Sequence, residues 1–145
     1  MAKDALKTLI RLAKWELDER RRALADLVKF EDSVKAEKRR LIAEKDEQAK
    51  VVAAFPDLAF CYDAYINNFI EQQKKLDKTL ADVALLIDKA RQLLEEAFMT
   101  LKTYEISDKN KQAVLKKEED LKLQKALDEM GLNSYRLQHK TSDGE

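Results

Sequence analysis

The scarcity of residues that interrupt helices limits what this chain can fold into. Its 145 residues include only two glycines and one proline. A compact fold with many turns needs more of both, because glycine permits unusual backbone angles and proline ends regular structure. The sequence therefore predicts a small number of long secondary-structure elements. Its 39% charged and 45% hydrophobic residues favour a coiled coil with a narrow apolar seam over a broad globular core.

Apolar residues recur at alternating steps of four and three, the period of a coiled-coil helix. In the first half, nine of the fourteen positions in this register are apolar: Leu6, Ile10, Ala13, Leu17, Arg20, Leu24, Leu27, Glu31, Val34, Lys38, Leu41, Lys45, Gln48 and Val52. In the second half, ten of eleven are apolar: Phe69, Gln73, Leu76, Leu80, Val83, Ile87, Ala90, Leu94, Ala97, Leu101 and Tyr104. Each half is predicted to form a long helix that buries one narrow face.

One turn separates the two halves, at Phe55-Pro56-Asp57. Pro56 lacks an amide donor and disfavours helix at the preceding residue, while Asp57 can cap a new helix start. The prediction is a first helix over about 3–54, a turn over 55–57 and a second helix over about 57–130. Gly131 tolerates the left-handed conformation that ends helices, so residues 131–145 are predicted to form a disordered tail.

The apolar pattern stops before the second helix does. Continuing the same register gives Asp108, Lys111, Leu115, Glu118 and Lys122, of which only Leu115 is apolar, although no helix breaker occurs there. If the chain folds back near residue 56, paired residue numbers sum to about 112, and the first helix ends opposite residue 108. The pattern therefore predicts an all-α fold, a two-helix antiparallel coiled-coil hairpin with a longer second helix. It forms a single domain over 1–130 and is expected to be a monomer.

Two surfaces are predicted to bind other proteins. A two-helix hairpin has no third layer, so Tyr62, Tyr65, Ile66, Phe69 and Ile70 cannot all be buried within it. Nearer the turn, Phe55 and Phe60 either close the hairpin or belong to a docking patch. On the unpaired end of the second helix, Leu123, Leu127 and Met130 recur at helical spacing, and Val114, Leu115 and Leu121 form another patch. This segment either docks in a groove or ring, or frays in solution.

The sequence lacks the motifs of catalysis. It has no glycine-rich phosphate loop and no paired cysteine or histidine ligands; Cys61 and His139 are the only residues of their types. We therefore expect no enzymatic activity, no cofactor and no metal. The basic runs at Arg20-Arg21-Arg22 and Lys38-Arg39-Arg40 are flanked by acids, which argues against nucleic-acid binding. No membrane-length apolar stretch occurs, so a cytoplasmic protein without direct membrane insertion is expected.

Several short motifs resemble a known family. They are Leu6-x-x-Leu9-x-x-Leu12, then Glu16, Asp18-Glu19 and a basic run to Leu24, then Tyr65-Ile66-x-x-Phe69-Ile70, then Leu101-Lys102-x-Tyr104-Glu105, and Leu127-Asp128-Glu129. Together they resemble the flagellar export protein FliJ family over residues 4–130. The resemblance implies a stalk-like component of the flagellar type III export apparatus, without catalytic activity of its own. It implies a cytoplasmic location, peripheral to the inner membrane at the export gate.

The resemblance also implies partners. The end that carries both chain termini would enter the hexameric export ATPase FliI and promote ring assembly, the hairpin body would contact the export gate protein FlhA, and export chaperones would be received after they release substrate. The gate-binding positions fall at Leu41 and Phe69, with Tyr62, Tyr65 and Ile70 nearby. For the ATPase, the expected contacts are Leu6, Leu9, Trp15, Leu123 and Leu127. The chain departs from the family at Glu44, Gln48 and Gln73, where the family can carry aromatic or apolar contacts.

Three other functions fit the same pattern. The chain could be a self-associating structural coiled coil whose exposed tip closes a homodimer. It could belong to another secretion machine. It could also be a tentacle-like chaperone that holds unfolded segments with its aromatic tip. Trp15 lies beside the apolar seam, so it is either a flanking packing residue or a contact for a partner.

Overall fold

The structure is a computed structural model that describes residues 2–142, with side chains for residues 5–140. It contains two α-helices, α1 (Ala2–Ala54) and α2 (Ala59–Ser142), joined by a 3₁₀ turn over Pro56–Leu58. No strand occurs among the described residues. The predicted all-α class, with two helices of which the second is longer, is confirmed: α1 has 53 residues and α2 has 84.

The turn forms where the proline was expected to break the helix. The Phe55 amide still donates to the Val51 carbonyl, with an N–O distance of 3.0 Å, and so completes α1. Pro56 then starts the 3₁₀ turn, which is closed by the Leu58 amide donating to the Phe55 carbonyl at 3.1 Å. The second helix therefore begins at Ala59 and not at Asp57, and Asp57 lies inside the turn.

The predicted helix end at Gly131 is wrong. α2 continues through this residue to Ser142, and no described glycine has a positive φ. Glycine inside a helix costs about 1 kcal/mol relative to alanine, a penalty that one residue in a long helix can tolerate. No proline follows to stop the helix, and the ring centroids of Tyr135 and His139, one turn apart, are 4.1 Å from each other. Residues 131–142 are helical instead of a disordered tail, and residues 143–145 lie outside the described range.

The chain divides into two compact units. One comprises Leu12–Thr100 and contains the turn and most of both helices. Within this unit Lys38 forms an ion pair with Asp77, and the Lys45 ammonium lies over the Phe69 ring. These contacts show that α1 and α2 run antiparallel there. The numbers of contacting residues sum to 114 or 115 instead of the predicted 112, because the fold point lies near Asp57 and not at Pro56.

The core follows the predicted seam. Of its heptad positions, all are buried or half-buried except Gln48, which is exposed while neighbouring Ala49 is half-buried. Burial is uneven along the helices. The buried residues are Leu6, Ala13, Leu17, Val34, Val83, Ile87, Ala90, Ala97 and Leu101. No residue from 35 to 82 is buried, so the half of the hairpin next to the turn has only half-covered packing.

The other unit combines the residues before Leu12 with those from Leu101 onward. Its core is small, with Leu6 and Leu101 buried and Tyr104, Glu105 and Asp108 half-buried. Every residue from 109 to 140 is exposed. This exposure begins where the sequence pattern predicted that α2 extends beyond the end of α1. We refer to residues 109–140 as the arm.

Candidate interaction surfaces

The first candidate surface is the turn-proximal patch, made of Tyr62, Tyr65, Ile66, Phe69 and Ile70 on α2. Their spacing of three and four residues places them along one face of the helix. Ile70 is exposed and the other four are half-buried, so each of these side chains keeps part of its surface open to solvent. A broad aromatic and aliphatic edge remains accessible to solvent, as the absence of a third layer predicted.

The two tyrosines of the patch pack on each other. Their ring centroids are 6.2 Å apart with an interplanar angle of 25°, a stacked arrangement in the favourable range for aromatic pairs. Partial burial raises the pKa of the Tyr65 hydroxyl above its ordinary value, and the Glu44 carboxylate adds to the rise. Both effects disfavour the phenolate, so Tyr65 presents a neutral hydroxyl at this surface.

Phe69 is partly covered by a cation from α1. The Lys45 ammonium nitrogen lies 5.2 Å from the centroid of the Phe69 ring, within the range of a cation–π interaction. The heptad register had placed Lys45 on the seam, but the sequence alone did not indicate this contact. Leu41, the other predicted gate-binding residue, is half-buried. It lies one turn of α1, about 6 Å, from Lys45, so Leu41 and Phe69 are neighbours at adjacent levels and not directly opposite.

An ionic cluster borders the patch on α1. Arg40 donates from two nitrogens to the carboxylate of Glu37, at 2.7 and 2.9 Å, and from a third to Glu44 at 3.1 Å. The hydrogen bond from Arg40 holds the pKa of Glu37 below its ordinary value, and the pKa of Arg40 is raised in return. This paired geometry orients the guanidinium beside the patch. The cluster is solvent-exposed and contributes little to stability.

Gln73 is a polar residue within the seam. Its side-chain amide nitrogen is buried without a hydrogen-bond partner among the described residues. The observed pairing of α1 with α2 places Gln73 at the level of Leu41. Of the other two departures from the family pattern, Glu44 belongs to the Arg40 cluster and Gln48 is exposed. An unpartnered buried amide is costly, so Gln73 marks a weak point in the packing beneath the patch.

The aromatic rings at the turn do not close the hairpin. Phe55 is 62% exposed and Phe60 is 76% exposed, so the interpretation that they pack over the turn is wrong. A two-helix hairpin ends there, and neither ring has a neighbouring element to pack on. With Val51 and Leu58, which are also exposed, they form the tip, an apolar surface next to the turn.

The second candidate surface is the arm. Its large apolar side chains are all exposed: Val114, Leu115, Leu121, Leu123, Leu127, Met130, Leu132, Tyr135 and Leu137. The residues expected to bind the ATPase differ in exposure. Leu123, Leu127 and Leu9 are open to solvent, whereas Leu6 is only 8% exposed and packs in the core. Trp15 belongs to the other unit and is 61% exposed, so it is not a packed flanking residue.

The basic run on α1 is neutralised locally. Arg20 pairs with Glu16 at 3.0 Å, Arg21 with Asp18 at 3.7 Å, and Arg22 with Glu19 at 3.0 Å. Each partner lies one turn away on the same helix. The run therefore presents alternating charges instead of a positive field that would attract a polyanion.

Neither a metal-binding cluster nor a membrane-spanning helix occurs among the described residues. They contain no group of three or more histidine, cysteine, aspartate or glutamate side chains placed to hold a metal ion. No helix within the described range is sufficiently long and apolar to cross a bilayer. The class defined by the fold is an all-α protein with two helices, a short turn and a solvent-exposed arm. Comparisons with family models, curated proteins and solved structures found no match.

Proposed function

We propose that this chain is a non-enzymatic stalk and adaptor of the bacterial flagellar type III export apparatus. The observation that carries the proposal is the arm, in which every residue from 109 to 140 is exposed. A single helix with many exposed apolar side chains gains stability by entering a groove or a ring. The short motifs that resemble the FliJ family support the hexameric export ATPase FliI as that ring.

The turn-proximal patch serves the second partner in this proposal. Phe69 and Leu41 are both half-buried and lie at adjacent levels of the hairpin, and Tyr62, Tyr65 and Ile70 extend the same surface. Aromatic side chains with accessible edges often contribute a large share of the binding free energy in protein interfaces. The export gate FlhA would cover this patch at the cytoplasmic side of the inner membrane, and export chaperones would bind the same body.

A binding experiment with purified protein tests the ATPase interaction. We expect the chain to bind the export ATPase, and Leu127→Asp to weaken binding at least about tenfold by placing a charge in an apolar contact. Leu132→Asp is the matched control, since Leu132 is equally exposed but lies on another face of the arm. Equal loss in both variants would indicate general damage to the arm and not a specific contact.

A comparison of two alanine variants tests the interaction with the export gate. Phe69→Ala should weaken FlhA binding, while Phe60→Ala, which removes an equally large ring at the tip, should leave it unchanged. Gene deletion provides the cellular measurement. If the protein bound neither partner and its deletion left filament assembly normal, the proposal would be wrong.

The tip favours one alternative, a tentacle-like chaperone. Phe55 and Phe60 project from the end of the hairpin, where a short apolar segment of an unfolded client could reach them. A chaperone would suppress aggregation of a client protein. Phe55→Ser with Phe60→Ser at the tip should weaken that protection, and Tyr62→Ser, Tyr65→Ser and Phe69→Ser together in the adjoining turn-proximal patch should abolish it. Protection without any binding to the export ATPase would favour this function over the stalk.

A further inference from the structure

The arm carries a second apolar stripe with its own heptad spacing. Leu123, Leu127, Met130, Ser134 and Leu137 follow one another at steps of four, three, four and three. The four large members are all more than half exposed. The period of the stripe is that of a helix that pairs with another helix.

The residues beside the stripe are almost free of charge. Within 118–140, the flanking positions on one side are Glu119, Ala126, Asn133 and Lys140, and those on the other side are Gln124, Gly131 and Gln138. Only Glu119 and Lys140 are charged, with opposite signs, and they stand near opposite ends of the stripe. At the centre, Gly131 has no side chain, and a Cβ built there meets nothing within 4 Å.

These charges match a second copy of the same arm in one orientation. If two arms pair antiparallel about a two-fold axis at Met130, facing residues have numbers that sum to about 260. Leu123 then faces Leu137, Leu127 faces Ser134, and Glu119 faces Lys140 at both ends. A parallel pair loses these ionic contacts and places Asp120, which continues the stripe, against its own copy. Like charges in that position repel.

We propose that the arm forms an antiparallel dimer with the arm of a second copy, centred on Met130. The contact spans Glu119 to Lys140, about 33 Å of helix at 1.5 Å per residue. Such a short interface with a serine in its stripe is weak and reversible. It covers the apolar arm of the free protein and must open before another partner can occupy the same stripe. This pairing does not depend on the identity of that partner.

Sedimentation equilibrium of the full chain tests the dimer. We expect a monomer at about 1 μM and a rising dimer fraction up to about 500 μM. Leu127→Asp should raise the dissociation constant at least about tenfold, while Leu132→Asp on another face should change it by less than about twofold. A monomer at every concentration, or equal effects of both variants, would overturn the proposal.

Charge reversal tests the orientation. At low salt, Glu119→Lys and Lys140→Glu should each weaken self-association about three- to tenfold, and the double variant should restore it. An equimolar mixture of the two single variants should form a heterodimer, because each supplies the charge that the other needs. Failure of both rescues would overturn the antiparallel register. Circular dichroism of each variant verifies that the helices remain intact, and no export partner is needed for any of these measurements.

Discussion

The ammonium of Lys45 on α1 lies over the ring of Phe69 on α2, with the nitrogen 5.2 Å from the ring centroid. Both residues occupy positions of the heptad seam, so a charged side chain takes the place of an apolar one. A partner that binds this face of the Phe69 ring must first displace Lys45. The contact therefore influences both the stability of the hairpin and access to the turn-proximal patch.

A double-mutant cycle measures this contact. We expect Lys45→Met, which retains the aliphatic length, and Phe69→Leu to show a coupling energy of about 0.5–1 kcal/mol in urea unfolding. The coupling should fall at high salt because the interaction is electrostatic. As a control, Lys50 on the same helix pairs with Glu47 and should show no coupling to Phe69. Zero coupling between Lys45 and Phe69 would contradict the cation–π contact.

The buried seam is the part of the hairpin least able to accept charge. Ile87 is 4% exposed, so Ile87→Asp should lower the free energy of unfolding by more than about 4 kcal/mol. Leu85, two residues away, is 71% exposed, and Leu85→Asp should change it by less than about 1 kcal/mol. Circular dichroism during urea unfolding measures both. Similar losses in the two variants would mean that Leu85 also lies in an interface.

Gln73 offers a stabilising substitution. Its amide nitrogen is buried without a partner among the described residues, so Gln73→Leu should raise the free energy of unfolding by about 1–2 kcal/mol. Gln72→Leu, at the neighbouring exposed position, should leave stability nearly unchanged. Urea unfolding compares the two. A loss of stability in Gln73→Leu would show that the amide makes a favourable bond that the described contacts do not include.

Gly131 distinguishes a continuous helix from a helix end. A Cβ added at this residue meets nothing within 4 Å, so Gly131→Ala should stabilise the arm by about 1 kcal/mol through higher helix propensity. Greater helicity at low protein concentration, measured by circular dichroism, would agree with the structure. If Gly131 were instead a left-handed helix cap, alanine would lower the helicity.

The ionic cluster at Arg40 is expected to make a contribution to stability that is lost in acid. The pKa of Glu37 is held below its ordinary value of 4.5 by the Arg40 hydrogen bonds. Its stabilisation is therefore present above pH 4.5 and is lost as the pH falls through the lowered pKa. Glu37→Gln should lower the melting temperature slightly at pH 7 and by less at pH 2.5. Arg40→Gln should show the same pH dependence, and an equal effect of Glu37→Gln at both pH values would contradict it.

The periodic part of the structure could be predicted from the sequence, and the irregular part could not. A seam of alternating four- and three-residue steps determines which face of each helix is buried, so the heptad positions were identified correctly apart from Gln48. The exposure of Phe55 and Phe60 depends on whether another element reaches them, which periodicity does not reveal. Gly131 was misread because glycine suits both a helix end and, at a small cost, a helix interior.

The contacts of individual residues were harder to predict than the face that each helix buries. The two-residue difference in pairing arose because the 3₁₀ turn shifts the fold point from Pro56 to Asp57. That shift moves Leu41 from a position beside residue 71 to the level of Gln73. The pattern thus located the turn-proximal patch, but only the geometry of the turn determined which α1 side chains border it.

The uneven distribution of buried residues has a consequence for motion. Because no residue from 35 to 82 is buried, breaking the contacts around the turn exposes less apolar surface than breaking those around Ile87. Amide protons near the turn should therefore exchange with solvent through frequent local opening, while those around Ile87 exchange only on global unfolding. The hairpin is packed tightly around Ile87 and loosely near the turn. The end near the turn can therefore adjust to surfaces of different shape.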